Sequence, residues 1–160
     1  MYKIDNIDRE IVDLLMIDGR MPASEIARKI GGISERVVRY RIERMVVQGV
    51  IRIRAIPNPK ELGFSVIADV FIEADASMIQ EVAGKLLNYE FISYVACSIG
   101  ESDISVQVVA NNSDEVYRFA TDIIGKIPGV RRTTTSIVPI VLKDVYDWKI
   151  PASIGRNTSD

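Results

Sequence analysis

ASEIARKIGGISERVVRYRIERMVVQG, residues 23–49, reads as two helices joined by a glycine turn. In the first, Ala23, Ile26, Ala27 and Ile30 recur at helical spacing, and Pro22 supplies a fixed φ suited to a first turn. Gly31 and Gly32 stop it. Ser34 can then cap a longer helix over about 35–48 by accepting a bond from a free backbone N–H. That helix turns Val38, Ile42 and Met45 inward, and Gly49 closes it. Upstream, Ile7, Ile11, Leu14 and Leu15 form one face of a helix over 6–18, with Asp8, Arg9 and Asp13 opposite and Gly19 as a left-handed terminator. Three helices of these lengths with short turns make a helix-turn-helix unit.

The third helix carries the chemistry. Arg36, Arg39, Tyr40 and Glu43 fall at i, i+3, i+4 and i+7, on one stripe roughly opposite Val38, Ile42 and Met45. A recognition helix in the major groove needs long donors on such a stripe, because guanine O6 and N7 accept two bonds from one guanidinium. A solvated charged face has the same composition, but the two preceding helices favour DNA. Ser34 and Glu35 open the helix, and Ser34 reads as its cap rather than as a phosphate contact. Arg41 and Arg44 point sideways and suit phosphates, which position without specifying. The charge balance agrees: residues 20–54 hold nine basic and three acidic side chains, a net of +6, while residues 56–160 carry a net of −5.

Beyond residue 50 the period changes. Val50 to Ile56 is a β-rich run, and Pro57-Asn58-Pro59 punctuates a linker placed at 53–63. Strands are predicted over 64–73, 91–99, 104–110 and 130–143, with helices over 77–89 and 113–127, the latter started by Ser113 or Asp114. The order βαββαβ is that of the ferredoxin-like split unit. The chain is therefore read as α+β: a three-helix, winged-helix-like helix-turn-helix domain at 1–52 and a ferredoxin-like domain at 64–150, followed by a mobile tail at 151–160. With both helices on one sheet face, the other must be covered. The rows Val66, Ala68, Val70, Ile72 and Ile104, Val106, Val108 are the apolar candidates for a dimer interface.

Composition removes several functions. The chain has 160 residues, one cysteine and no histidine, so one chain cannot build a zinc site or a histidine-based triad. Cys97, in an apolar run, reads as a small buried hydrophobe. No signal peptide or membrane-length apolar run is found, which gives a cytoplasmic protein as the expectation.

Five separated motifs now resemble the Lrp/AsnC (feast/famine) regulators in order and spacing. They are IDREIVDLLMIDGR (7–20), the helix-turn-helix and following run (23–54), IPNPKELGF (56–64), SIGESDISVQV (98–108) and PGVRRTTTSIV (128–138). The chain departs from the family in the additional Gly32, in lacking an aromatic before Asp103, and in Pro22 where a capping serine is common. The resemblance implies a transcriptional regulator without enzymatic activity or cofactor, binding double-stranded DNA as homodimers able to assemble into octamers. It also implies a small-molecule effector such as an amino acid, held by the loop Gly100-Glu101-Ser102-Asp103 between dimers. Gly100 would give backbone access, and Asp103 a carboxylate for an ammonium. The same loop is otherwise a plain turn. Thr133 and Thr135, on one strand face, are either β-formers or further ligand contacts. Arg41 matches a family arginine that contacts phosphate or pairs within its domain. Two alternatives stand beside this reading: a ligand-binding co-regulator that reads DNA only as a heteromer, and an enzyme resembling siroheme decarboxylases.

Overall fold

Asp5 and Asp8 open the first helix as a reciprocal pair in the computed structural model, which describes residues 2–154. Asp5 Oδ1 accepts the Asp8 N–H at 2.8 Å, and Asp8 Oδ2 accepts the Asp5 N–H at 3.2 Å. Two of the four orphan donors of α1 (Asn6–Ile17) are satisfied this way. Helix α1 ends on an extended Asp18, whose carboxylate accepts the Arg20 N–H, so Gly19 is not the left-handed terminator expected of it. Helices α2 (Ala23–Ile30) and α3 (Glu35–Val47) follow. Gly31 and Gly32 between them take φ of +74° and +70°, a region side chains with a Cβ avoid. Ile11, Val12, Ile26, Ala27, Val38 and Met45 meet in the core of this unit.

The β-rich run at 50–56 forms no strand. Val50 and Ile51 pack on the helical core, and the backbone beyond them has no ladder partner among the described residues. β-propensity needs a neighbouring strand to be realised. Within the expected linker, Lys60–Leu62 makes one turn of 3₁₀ helix.

The second unit is a four-stranded antiparallel sheet of order β2-β3-β1-β4, from β1 (Val66–Ala74), β2 (Ile92–Cys97), β3 (Ile104–Ala110) and β4 (Val130–Val138). Helix α4 (Ile79–Leu86) connects β1 to β2. Helix α5 (Ser113–Arg118) connects β3 to β4, capped by Asn112 Oδ1, one residue earlier than expected. The predicted single helix over 113–127 is instead three segments: α5, a wider π turn at Phe119–Ile123 and a 3₁₀ turn at Ile124–Lys126. The split βαβ topology is the ferredoxin-like one.

The faces of this sheet correct the predicted interface. Ala68, Val70, Ile72, Ile104, Val106 and Val108 are buried with Val82, Leu86, Phe119 and Ile124, on the helix side. The open face carries the alternate residues Ile67, Asp69, Phe71 and Glu73, with Ser105, Gln107 and Val109 opposite on β3. At its centre the Gln107 amide donates to Asp69 Oδ1 at 3.2 Å. Cys97 is exposed rather than buried, because it ends an edge strand with one neighbour.

Strand β4 stops at Val138, five residues short of the prediction, before Pro139. From Lys143 the chain groups with the helical unit, which moves the boundary back from residue 150. Ile150 packs on the helical core, and the carbonyls of Ala152 and Ile154 accept from Arg9 Nη1 at 3.0 and 3.3 Å. The start of the expected mobile tail is therefore hydrogen-bonded, and its residues 155–160 lie outside the described residues. Among the described residues no helix is long and apolar enough to cross a membrane.

Candidate nucleic-acid interface and sensing turn

Helix α3 is held by Val38 and Met45, both fully buried, and this fixes which side chains it presents outward. Arg36, Arg39, Tyr40, Glu43 and Arg44 are all exposed. Ser34 Oγ accepts the Val37 N–H at 3.3 Å, so it is the helix cap, as read from the sequence. Glu35 accepts from Arg39 Nε at 2.8 Å, one turn along. An exposed i,i+4 pair of this kind contributes a few tenths of a kcal/mol, about 0.3–0.5, so Arg39 is cheaply released to another acceptor.

Arg41 is not part of that surface. Its side chain is 23% exposed and its Nη1 reaches Asp5 Oδ2 at 2.7 Å and Asp8 Oδ1 at 2.8 Å. Asp8, expected on the solvated face of α1, is 1% exposed. It also accepts the Tyr2 hydroxyl at 3.0 Å. A carboxylate so deeply buried requires a full set of donors, and Arg41 is one of them. The Asp5 bond is the chief reason the Arg41 guanidinium is pushed above its ordinary pKa, against its own burial, with Asp8 adding to it. Burial would raise the Asp5 carboxyl, but the Asp8 N–H and Arg41 together hold it below the usual carboxylate range. Burial raises the Tyr2 phenol, and its bond to Asp8 raises it further. The guanidinium of Arg44 lies over the Tyr2 ring, 5.0 Å from its centroid. Tyr2 escaped the sequence reading altogether. The Asp5–Asp8 spacing, a capping-box pattern, was the available signal for the node it joins.

The second candidate site lies in the sheet unit, at the turn between β2 and β3. It closes on itself: Ser98 N–H donates to the Asp103 carbonyl at 2.8 Å, and Ser98 Oγ to the Ser102 carbonyl at 3.0 Å. Gly100 has φ of +148° with open space around it, so the backbone conformation, not crowding, calls for glycine. Asp103 is not a free carboxylate. Its Oδ2 accepts the Ala74 N–H at 2.8 Å and stands 3.9 Å from Arg131.

Thr133 and Thr135 pair with Ile72 and Val70 and so share the helix side of the sheet. The turn residues Glu101 and Ser102 instead meet Thr134, Arg132, Phe71 and Glu73 in an open-face groove of about 400 Å³. Alternation along β4 explains the difference: Thr134 is opposite Phe71, and its neighbours are turned away. Within the groove Arg132 and Glu73 approach to 3.6 Å. A guanidinium, two carboxylates and two hydroxyls are thus collected around one aromatic ring. Such a lining can hold a small zwitterion by both of its charges.

Residues 4–46 match the AsnC-type helix-turn-helix domain, and residues 65–146 match the Lrp/AsnC ligand binding domain. The chain is 42% identical over 148 residues to the HTH-type transcriptional regulator FL11 of Pyrococcus abyssi, covering 92% of this chain and 97% of that one. Among solved structures, E. coli AsnC superposes with a TM-score of 0.82 at 26% identity, over 91% of this chain and 99% of its own. A transcriptional regulator of Neisseria meningitidis in complex with L-Met superposes at 0.84 and 17% identity, over 94% and 98%, a likeness of fold alone.

Proposed function

Because the chain belongs to the Lrp/AsnC family of transcriptional regulators, we propose that α3 reads an operator with Arg36, Arg39, Tyr40 and Glu43 in the major groove. The protein is a regulator rather than an enzyme, with a helix-turn-helix DNA-binding domain and a ligand-binding domain. Ser34 and Glu35 begin the reading helix, and Arg44 beside the stripe meets a phosphate. Arg41 is left out of the contact set, since Asp5 and Asp8 engage it.

The observation that carries this reading is the exposed stripe itself, fixed outward by the burial of Val38 and Met45 on the opposite side of the same helix. Selection of bound genomic fragments with the purified protein, followed by titration of the winning duplex, tests it. Arg39→Ala should lose about 1–3 kcal/mol on that duplex and much less on random sequence. Equal losses on both would remove Arg39 from base reading.

The ligand we propose is an amino acid or a similar small zwitterion, received by Gly100, Glu101, Ser102 and Asp103 together with Thr134 and Arg132. Support comes from the groove chemistry, and from the L-Met carried by the Neisseria regulator of the same fold. The working unit is a homodimer paired through the open sheet face, and dimers can assemble further. Its place is the cytoplasm, where its DNA is.

A further inference from the structure

Arg44 differs from its neighbours on α3 in what holds it. Arg39 pairs with Glu35, and Arg41 with Asp5 and Asp8. Among the described residues no carboxylate pairs with Arg44; its guanidinium lies over the Tyr2 ring instead. Tyr2 is itself anchored, because its hydroxyl donates to the buried Asp8 carboxylate, which also binds Arg41. Arg41 and Arg44 are three residues apart, so one edge of α3 brings both over the segment before α1.

A cation held over a ring face spends none of its N–H groups on a carboxylate, so they remain available for a phosphate. An arginine held by a ring also has fewer rotamers to surrender when it makes that contact.

We infer that Tyr2 is a positioning residue for DNA binding, its ring holding the Arg44 guanidinium in place while Asp8 fixes the ring. The inference rests on Arg44 being a phosphate contact, as proposed above. It also joins two tasks at one node: Asp8 and Arg41 fix where α3 lies, and through Tyr2 the same carboxylate fixes where a side chain of α3 points.

The test uses the full chain and a fixed random-sequence duplex, since phosphate contacts are indifferent to sequence. Affinity is read across a salt series for wild type, Arg44→Ala, Tyr2→Phe, Tyr2→Leu and the double variant Tyr2→Leu/Arg44→Ala. Each is measured at a temperature where circular dichroism finds it folded. Tyr2→Leu should bind about threefold more weakly, with no further loss when added to Arg44→Ala. Tyr2→Phe keeps the ring but loses the bond to Asp8 that fixes it, and should fall between wild type and Tyr2→Leu. The same threefold loss from Tyr2→Leu with and without Arg44, or a loss from Tyr2→Phe as large as from Tyr2→Leu, would overturn the inference. So would an unaffected Tyr2→Leu beside a weakened Arg44→Ala, a result that leaves the phosphate contact standing. If Arg44→Ala changes neither affinity nor salt slope, the contact itself is wrong and the inference goes with it.

Discussion

The Asp103 carboxylate accepts the backbone N–H of Ala74 at 2.8 Å, joining the turn between β2 and β3 to the last residue of β1. Pairing of β1 with β4 becomes irregular between Glu73 and Ala74, and Asp103 supplies the acceptor there. Asp103→Ala should therefore destabilise the sheet unit by about 1–3 kcal/mol. Asp103→Asn keeps an acceptor oxygen and removes only the charge. Calorimetric titration of the asparagine variant with a panel of amino acids separates the two roles. Lost affinity in a normally melting protein is expected, and retained affinity would confine Asp103 to structure.

Arg41→Ala should act on stability before it acts on DNA. It leaves the buried Asp8 carboxylate without its cation, at an expected cost of about 3 kcal/mol or more. Denaturant unfolding reads this directly. A midpoint shift as small as that of a surface substitution would show that Asp8 finds another partner.

Asp5 gives the helical unit an acid sensitivity with a definite direction. Its carboxyl is held below the ordinary range, so its contribution is present above about pH 4 and fades as the pH falls through the lower folded value. Thermal melts of wild type and Asp5→Asn, which keeps a capping oxygen, should converge on acidification. Parallel curves down to about pH 2 would assign the acid loss to other groups.

Phe71 projects from the open sheet face, where it is 40% exposed. Light scattering should find the wild type no smaller than a dimer and Phe71→Glu shifted toward monomer, since burying a further carboxylate beside Glu73 and Glu101 is costly. A wild-type monomer at micromolar concentration would remove the interface from this face.

Much of this was legible in the sequence, for reasons that can be traced. The periodicities of α1 to α3, the cap at Ser34 and the span of β3 depend on neighbours a few residues away, and they read correctly. The parity of the sheet did not, because alternating apolar residues run along β1 and β3 without saying which set meets the helices. That ambiguity sent Val70 to the wrong face and selected Thr133 and Thr135 where Thr134 lines the groove. Asp8 was misjudged, and Arg41 left open between a phosphate and a partner within its domain, for a different reason. Their partners are more than thirty residues apart in sequence, and a charge on a helix looks solvated until its partner is seen. The run at 50–56 has strand composition but no strand, since a ladder needs a second chain segment beside it.

The return of residues 143–154 to the helical unit bears on how the protein is made. Ile150 and the carbonyls that receive Arg9 are translated only after the whole sheet unit. On the ribosome, α1 to α3 emerge early but wait for that segment, with part of their core open and Arg9 without its acceptors. The sheet unit, continuous in sequence, can close first. The DNA-reading half is thus the first to be synthesised and the last to be finished.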